Sequence, residues 1–323
     1  AHVRVVAQRR PHQIARARDA GVTRIVLGTS YRPEVFAEYF GDGSDFGVEL
    51  VYRTEEEPLG TGGGIRYAAE ALTCGPDEPV LVFNGDVLSG VDLRHLVAEH
   101  ETTGAAVTLY LTRVADPRAF GLVPTDAEGR VTEFREKPTT VQEIVTDQIN
   151  AGCYVFRRDV IDRIPVGQVV SVERDTFPGL LAQGHRLTGV VDDGYWLDLG
   201  TPLSFVRGSA DLVLGRVDSS AVPGPTGERL VLGDARVADD ATVTGGSVVA
   251  DSCVVHAGAV VEGSVLMPGV VVAAGAAVRD SVLATGARVG EKASVSGTVV
   301  AEGAVIGAGV ELVEGARVWP GAV

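Results

Sequence analysis

Two aspartates in this chain stand where a strand should give way to a loop, each behind a short apolar run. Asp86 follows Val80-Leu81-Val82-Phe83-Asn84-Gly85, and Asp198 follows Tyr195-Trp196-Leu197. In open α/β sheets ligands gather outside the carboxyl ends of strands. A hard cation such as Mg²⁺ takes one or two carboxylates and completes its shell with phosphate oxygens. Asp86 and Asp198 are therefore candidate metal ligands. Between them, Phe134-Arg135-Glu136-Lys137-Pro138 sets an acid beside a base, ahead of a proline that fixes the backbone. Lys137 can hold a phosphate as a point charge, while Glu136 can accept hydrogen bonds from hydroxyls. Glu173, in Glu173-Arg174-Asp175, offers a second hydroxyl acceptor. Together these residues point to chemistry on a phosphate.

Each of them also has a plainer use. Asn84-Gly85 is a turn signal whose aspartate can hydrogen-bond its own loop. Asp198 lies near the helix start at Thr201-Pro202 and could serve as part of its cap. Glu136-Lys137 reads equally as a surface charge pair, and Glu173 as a helix-start acid. A third segment, Glu55-Glu56-Glu57-Pro58-Leu59-Gly60-Thr61-Gly62-Gly63-Gly64, links a strand to a helix. Its glycines would let a ligand approach the backbone, with amides pointing outward at a helix N-terminus. A structural turn is as consistent with it, and it is no P-loop, because the Lys-Ser/Thr ending is absent.

The elements that would carry these residues alternate between helix and strand. Pro11 opens a helix that stops at Gly21, Arg24 to Gly28 reads as a strand, and Pro33 starts a helix closed by Gly41. Strands follow at Val48–Tyr52, Val80–Phe83 and Val107–Leu111, with helices at Ile65–Leu72 and Leu93–Glu101. This order predicts an α/β domain over residues 1–214, with a Rossmann-like, mixed and mostly parallel sheet covered by helices on both faces. Residues 215–229, with Pro223-Gly224-Pro225, read as a linker.

From residue 230 to 323 the period changes. Aliphatic residues recur every sixth position at Val231, Val237, Val243, Val249, Val255 and Val261, with a slim residue four places after each. The register slips and resumes at Val272, Val278, Val289, Val295, Ile306, Leu312 and Val318. A six-residue period fits neither helix nor hairpin; it predicts a left-handed parallel β-helix of hexapeptide repeats. Such repeats commonly self-associate, so a homo-oligomer is expected. His256 is the one candidate for the acyltransfer that some of these solenoids perform, and a lone histidine on a repeat reads better as a solvated turn residue.

The whole composition fits two globular domains: 323 residues, 45% hydrophobic and 22% charged. A formal charge of −15 argues against nucleic acid or an anionic membrane as partner. Cys74, Cys153 and Cys253 show no metal-ligand spacing, which suggests a reduced, cytoplasmic setting. No apolar run approaches the length of a membrane span.

Taken in order, the motifs resemble those of the sugar-1-phosphate nucleotidylyltransferases, most of all the mannose-1-phosphate guanylyltransferases with a C-terminal hexapeptide β-helix. The residues that carry the likeness are Glu57-Pro58-Leu59-Gly60-Thr61-Gly62, Phe83-Asn84-Gly85-Asp86, Phe120-Gly121-Leu122-Val123 and Glu136-Lys137-Pro138. Asn150-Ala151-Gly152-Cys153-Tyr154-Val155-Phe156, Glu173-Arg174-Asp175 and Trp196-Leu197-Asp198-Leu199-Gly200-Thr201-Pro202 continue it. The resemblance implies that Glu55, Glu56 or Glu57, with Gly60, Thr61 and Gly62, lies against the nucleotide, and that Asp86 and Asp198 hold Mg²⁺. It also implies that Gly121, Glu136, Asn150 and Glu173 line a sugar pocket and that Lys137 binds the sugar phosphate. The implied reaction joins GTP and mannose 1-phosphate into GDP-mannose and pyrophosphate.

The family opens with a buried strand, a Gly-Gly-x-Gly-Thr-Arg loop and a Pro-Lys-Pro segment. Here Ala1-His2-Val3-Arg4-Val5-Val6-Ala7-Gln8-Arg9-Arg10 passes directly to the first helix. The α/β domain is thus expected to be N-terminally incomplete, with His2 to Ala7 filling part of the strand's slot and Arg9 and Arg10 supplying some charge. Two alternatives follow. One is a sugar-nucleotide-binding regulatory subunit of the same fold; the other transfers a different base or sugar, such as dTTP or UTP with glucose 1-phosphate.

Overall fold

A computed structural model describes residues 12–29, 32–138, 140–313 and 315–323. Residues 13–196 and 197–323 form two compact units. The strand expected over His2 to Ala7, and the charge expected from Arg9 and Arg10, lie outside the described residues.

In the first unit, α1 (His12–Asp19), β1 (Arg24–Thr29), α2 (Pro33–Phe40) and β2 (Glu49–Thr54) follow the punctuation of the sequence. β1 and β2 pair in parallel. Ile14, Phe40, Phe46, Val48 and Leu50 bury one another, so the apolar faces of both helices hold this pair. There follow α3 (Gly60–Ala69), β3 (Pro79–Phe83), β4 (Val87–Ser89), α4 (Leu93–Thr103) and β5 (Val107–Arg113). Next come β6 (Gly121–Leu122), β7 (Arg135–Glu136), β8 (Gln148–Arg157), α5 (Arg158–Asp162), α6 (Phe177–Ala182) and β9 (Leu187–Val191), and β10 (Trp196–Asp198) runs across the division at Trp196. The Asp92 carboxylate caps α4 by accepting the Arg94 and His95 amides.

The main sheet runs β7-β6-β8-β5-β9, with β3 also on β8. β8 is its spine, antiparallel to β3, β5 and β6, while β5 and β9 are parallel. The sheet is mixed, as expected, but its parallel share is smaller than the helix–strand alternation implies. That alternation does not reveal β8, whose reversed direction makes three of the neighbouring pairs antiparallel. Ala151 to Phe156 are buried without a break, so the strand is covered on both faces: Tyr154 and Phe156 join Leu109, Leu111 and Phe177, and Cys153 and Val155 join Leu96 and Tyr110.

The second unit begins with α7 (Pro202–Val213), capped by Thr201 Oγ1, which accepts the Ser204 amide at 3.1 Å. Short strands from Arg229–Val231 to Arg317–Val318 then form three parallel sheets, the solenoid that the six-residue period predicts. The slip in that period has a structural cause. Early partners are 18 apart, as in Arg236 with Val254, but Val248 pairs with Val265 and Val254 with Val271, 17 apart. One side of the next three coils is five residues long, from Val261 to Leu266, Val278 to Leu283 and Val295 to Val300, all buried, and the last coil returns to six, with Val300 opposite Val318. The first coil turns that corner on two left-handed residues, Gly245 and Gly246; later coils use one, Gly263, Asp280 or Gly297. Leu266, Leu283 and Val300 thus complete a stacked column that strict counting by six passes over.

Beside that corner runs a buried ladder. Ser247 Oγ accepts the Ser264 amide at 3.1 Å, Ser264 Oγ the Ser281 amide at 3.1 Å, and Ser281 Oγ the Thr298 amide at 3.0 Å. α7 belongs to this unit because its apolar face packs on the first coils: Val213 buries with Leu230, Val248 and Val265, and Phe205 packs against them. A Cβ at Gly246 would stand 2.6 Å from the Ala210 carbonyl oxygen. By compactness the units divide at Trp196, ahead of the linker at 215–229.

Candidate functional site

The residues singled out around phosphate and hydroxyl chemistry converge in the first unit. β6 and β7 form a two-residue antiparallel pair that sets Gly121 opposite Glu136. A Cβ at Gly121 would lie 2.8 Å from Glu136 Oε2, so glycine there leaves the carboxylate its place. Glu136 is half-buried. Burial first, and the nearby Glu173 carboxylate second, raise its pKa above the usual carboxylate range, against the opposing pull of Lys137 and Arg174. Lys137 Nζ lies 3.9 Å from Glu136 Oε1, with 62% of its side chain exposed against 21% for Glu136. Lys137 is also one of the few non-glycine residues with left-handed backbone, φ 49, a conformation that costs energy and tends to persist where function requires it. The arrangement keeps the acid fixed and inward, with the ammonium free to meet an anion.

β8 supplies Asn150. Its Nδ2 donates to the Tyr154 hydroxyl at 2.7 Å and its Oδ1 accepts the Gly152 amide at 3.1 Å. Gly152 has φ +74 and packs against the Asn84 side chain, and the Asn84 amide donates to the Gly152 carbonyl at 2.8 Å. The strand carrying Asn150 is thereby tied to the loop that carries Asp86. Burial and the charge of Glu173 raise the Tyr154 pKa, so its hydroxyl stays protonated. Glu173 sits in a π-helical turn, Val172–Thr176, capped by Ser171; such turns are often found at functional sites.

The Gly-rich segment departs from the expected reading. α3 begins at Gly60, five residues before Ile65, and its glycines do not open amides to a ligand. The Gly62 and Gly63 amides donate to the Val170 carbonyl at 2.8 and 3.3 Å. A Cβ at Gly60 would stand 2.6 Å from that same oxygen, and one at Gly63 2.5 Å from the Gln168 carbonyl oxygen. The glycines therefore admit the chain's own segment 168–172, which leads into Glu173. Thr61 Oγ1 donates to Glu173 Oε2 at 2.9 Å and accepts the Val172 amide at 2.8 Å. Glu55 accepts the Leu59 amide at 2.9 Å, and Glu57 is exposed.

Asp86 lies half-buried in the turn before β4, and its carboxylate makes no hydrogen bond among the described residues. Asp198, at the end of β10, accepts the Gly200 amide through Oδ1 at 2.6 Å, leaving Oδ2 without a protein donor among the described residues. Oxygen donors of this kind, not consumed by the protein, suit a hard cation. Among the described residues no group of three or more His, Cys, Asp or Glu side chains is gathered as for a metal.

The family described as Nucleotidyl transferase matches residues 10–213, and the GMPPB C-terminal domain matches residues 226–322. The chain belongs to the nucleotidyl transferase family. Among the relatives of this nucleotidyl transferase is the mannose-1-phosphate guanylyltransferase of Mycobacterium tuberculosis (strain ATCC 25618 / H37Rv), 55% identical over 239 residues, which is 74% of this chain and 65% of that protein. The mannose-1-phosphate guanylyltransferase catalytic subunit beta of Drosophila pseudoobscura pseudoobscura is 37% identical over 61% of this chain and 52% of its own. The chain thus spans between about half and two thirds of the length of these relatives. Among solved structures, a putative glucose-1-phosphate thymidylyltransferase from Bacillus anthracis in complex with a sucrose shares the fold. Its TM-score is 0.54 at 23% identity, over 62% of this chain and 80% of that one.

Two residues bonded to the expected site residues were not singled out from sequence. Ser171 Oγ donates to Glu173 Oε2 at 2.9 Å, and Tyr154 presents its hydroxyl to Asn150. Ser171 had no motif to mark it, whereas Tyr154 stood in plain view in the Asn150 segment but reads as a core aromatic.

Proposed function

We propose that the protein transfers a guanylyl group from GTP to mannose 1-phosphate, giving GDP-mannose and pyrophosphate. The observation that carries this reading is the convergence of Gly121, Glu136 and Glu173 beside an exposed Lys137 on a left-handed backbone. The names borne by the mycobacterial and fly relatives support the choice of base and sugar.

In this reading Glu136 and Glu173 accept hydrogen bonds from hydroxyls of the sugar, and Asn150 and the Gly121 backbone complete its polar lining. Lys137 holds the sugar phosphate, offsetting its charge so that one of its oxygens can approach the α-phosphorus of GTP. One of Glu55, Glu56 and Glu57 lies against the nucleotide, on a turn whose Gly60, Thr61 and Gly62 are packed against the segment 168–173. Asp86 and Asp198 would hold Mg²⁺, which when bound would neutralise charge on the reacting phosphates. Displacements of this type need little covalent help from protein; positioning and charge neutralisation supply most of the acceleration.

The reaction is assigned to the cytoplasm on the strength of three free cysteines and no disulfide among the described residues. Among these residues no helix is long and apolar enough to cross a membrane. Self-association through the solenoid is part of the same reading, checked by light scattering.

The deciding experiment measures pyrophosphate release by the intact protein with Mg²⁺, supplying each of four nucleoside triphosphates with mannose 1-phosphate or glucose 1-phosphate. Turnover with GTP and mannose 1-phosphate above the other pairs is expected. A preference for dTTP or UTP with glucose 1-phosphate would reassign the substrates. Saturable GDP-mannose binding without turnover would make it a regulatory subunit.

A further inference from the structure

Thr61 belongs by motif to the nucleotide side of the site, yet its hydroxyl is used up elsewhere. It accepts the Val172 amide and gives its single proton to Glu173 Oε2. Ser171 Oγ is used in the same way: it accepts the Arg174 amide at 3.1 Å and donates to that same Glu173 oxygen. A hydroxyl has one proton to give, so neither side chain retains a donor for a ligand. Glu173 Oε2 is held by two donors, while Oε1 makes no hydrogen bond among the described residues.

The clamp has an opponent. Glu173 and Glu136 are close enough for their charges to act on each other, and a flexible glutamate would swing away from a like charge. Two hydroxyls fixed to one oxygen prevent that swing and leave the other oxygen without a protein donor among the described residues. Thr61 can make this contact only because the glycines around it admit the segment 168–172 to van der Waals distance.

We infer that Thr61, seconded by Ser171, is a positioning residue for sugar recognition: it aims Glu173 at a sugar hydroxyl and does not read the base. The inference rests on the function proposed above and specifies which substrate Thr61 serves.

The test compares Thr61→Val, Thr61→Ser and Ser171→Ala with the wild type in the intact protein. It measures KM for GTP and for mannose 1-phosphate separately, together with calorimetric binding of mannose 1-phosphate alone. Thr61→Val is expected to raise KM for the sugar phosphate about tenfold, leaving KM for GTP within about twofold. Thr61→Ser, which keeps the hydroxyl, is expected to restore the wild-type value within about threefold, and Ser171→Ala to show a smaller rise in the same constant. A Thr61→Val effect confined to GTP, or no effect on either substrate, overturns the inference, as does failure of Thr61→Ser to rescue. If the wild type binds mannose 1-phosphate but releases no pyrophosphate with any nucleotide, the proposed reaction fails. Sugar phosphate affinity then decides the inference: about tenfold weaker binding to Thr61→Val upholds it, and equal binding overturns it. A wild type that neither turns over nor binds the sugar phosphate overturns both.

Discussion

Glu136 is a carboxylate held where its charge is unwelcome. Burial and Glu173 both push its pKa up, so on acidification the folded protein takes up this proton before an unfolded chain would. At this site, therefore, lowering the pH through the window just above the ordinary glutamate value stabilises the fold. Binding responds in the opposite sense, because an ionised carboxylate accepts stronger hydrogen bonds from hydroxyls than a neutral one. KM for the sugar phosphate is expected to rise as pH falls toward that window. In Glu136→Gln it should be about tenfold higher and flat with pH, as steady-state kinetics at several pH values will check. A variant that keeps the wild-type pH profile would place the titrating group elsewhere.

At the scale of elements, the first unit was readable wherever glycine and proline punctuate an apolar period. α1, α2, α4, β1, β3 and β5 fall within a few residues of their expected bounds. β8 escaped because Ala151 to Phe156 is covered on both faces and shows no alternation. The Gly-rich turn was visible, but its use was not: a glycine allows close approach by ligand and by protein alike, and Val170 and Gln168 occupy the space here. Of the site residues, Glu136, Lys137 and Glu173 stood out because charge in a loop before proline or in a helix start is conspicuous. The second commitment of Thr61 depends on contacts across more than a hundred residues, which local spacing cannot report, while Ser171 bonds Glu173 only two residues on and carries no motif to mark it.

One element carries an acid-sensitive group away from the site. His100, on α4, is 5% exposed and its Nδ1 lies 3.0 Å from Thr108 Oγ1 on β5. Burial, then the charge of Arg157, lowers its pKa from 6.5 to about 4. Between those values the unfolded chain binds a proton that the folded one refuses, so stability from this group is complete above pH 6.5 and is lost as pH falls toward 4. The shift corresponds to up to about 3 kcal/mol. Urea unfolding at pH 7 and pH 4.5 is expected to show a larger loss in the wild type than in His100→Gln, and equal losses would mean that another group is responsible.

At the scale of the whole molecule, the solenoid's stability is built from contacts between successive coils. Ser281 is one of its fully committed polar positions: Oγ donates to the Arg279 carbonyl at 2.6 Å and accepts the Thr298 amide of the next coil. Ser281→Ala leaves that amide buried without a partner, a loss of about 1–3 kcal/mol. Ser281→Thr, which keeps the hydroxyl as Thr298 does at its own level, should cost less. Denaturant unfolding followed by circular dichroism compares the two.

The same ladder restricts how such a protein can change length. Each coil after the first gives a backbone amide to the hydroxyl 17 residues earlier, and the columns of valine and leucine keep step with it. Within a strand, adding or deleting one residue would turn its buried aliphatic outward, whereas a corner absorbs the change, as the step from two left-handed residues, Gly245 and Gly246, to one, Gly263, shows. Duplicating one complete 17-residue turn would find hydroxyl and amide already matched, and a chain altered in that way should fold into a taller prism with an unchanged cross-section.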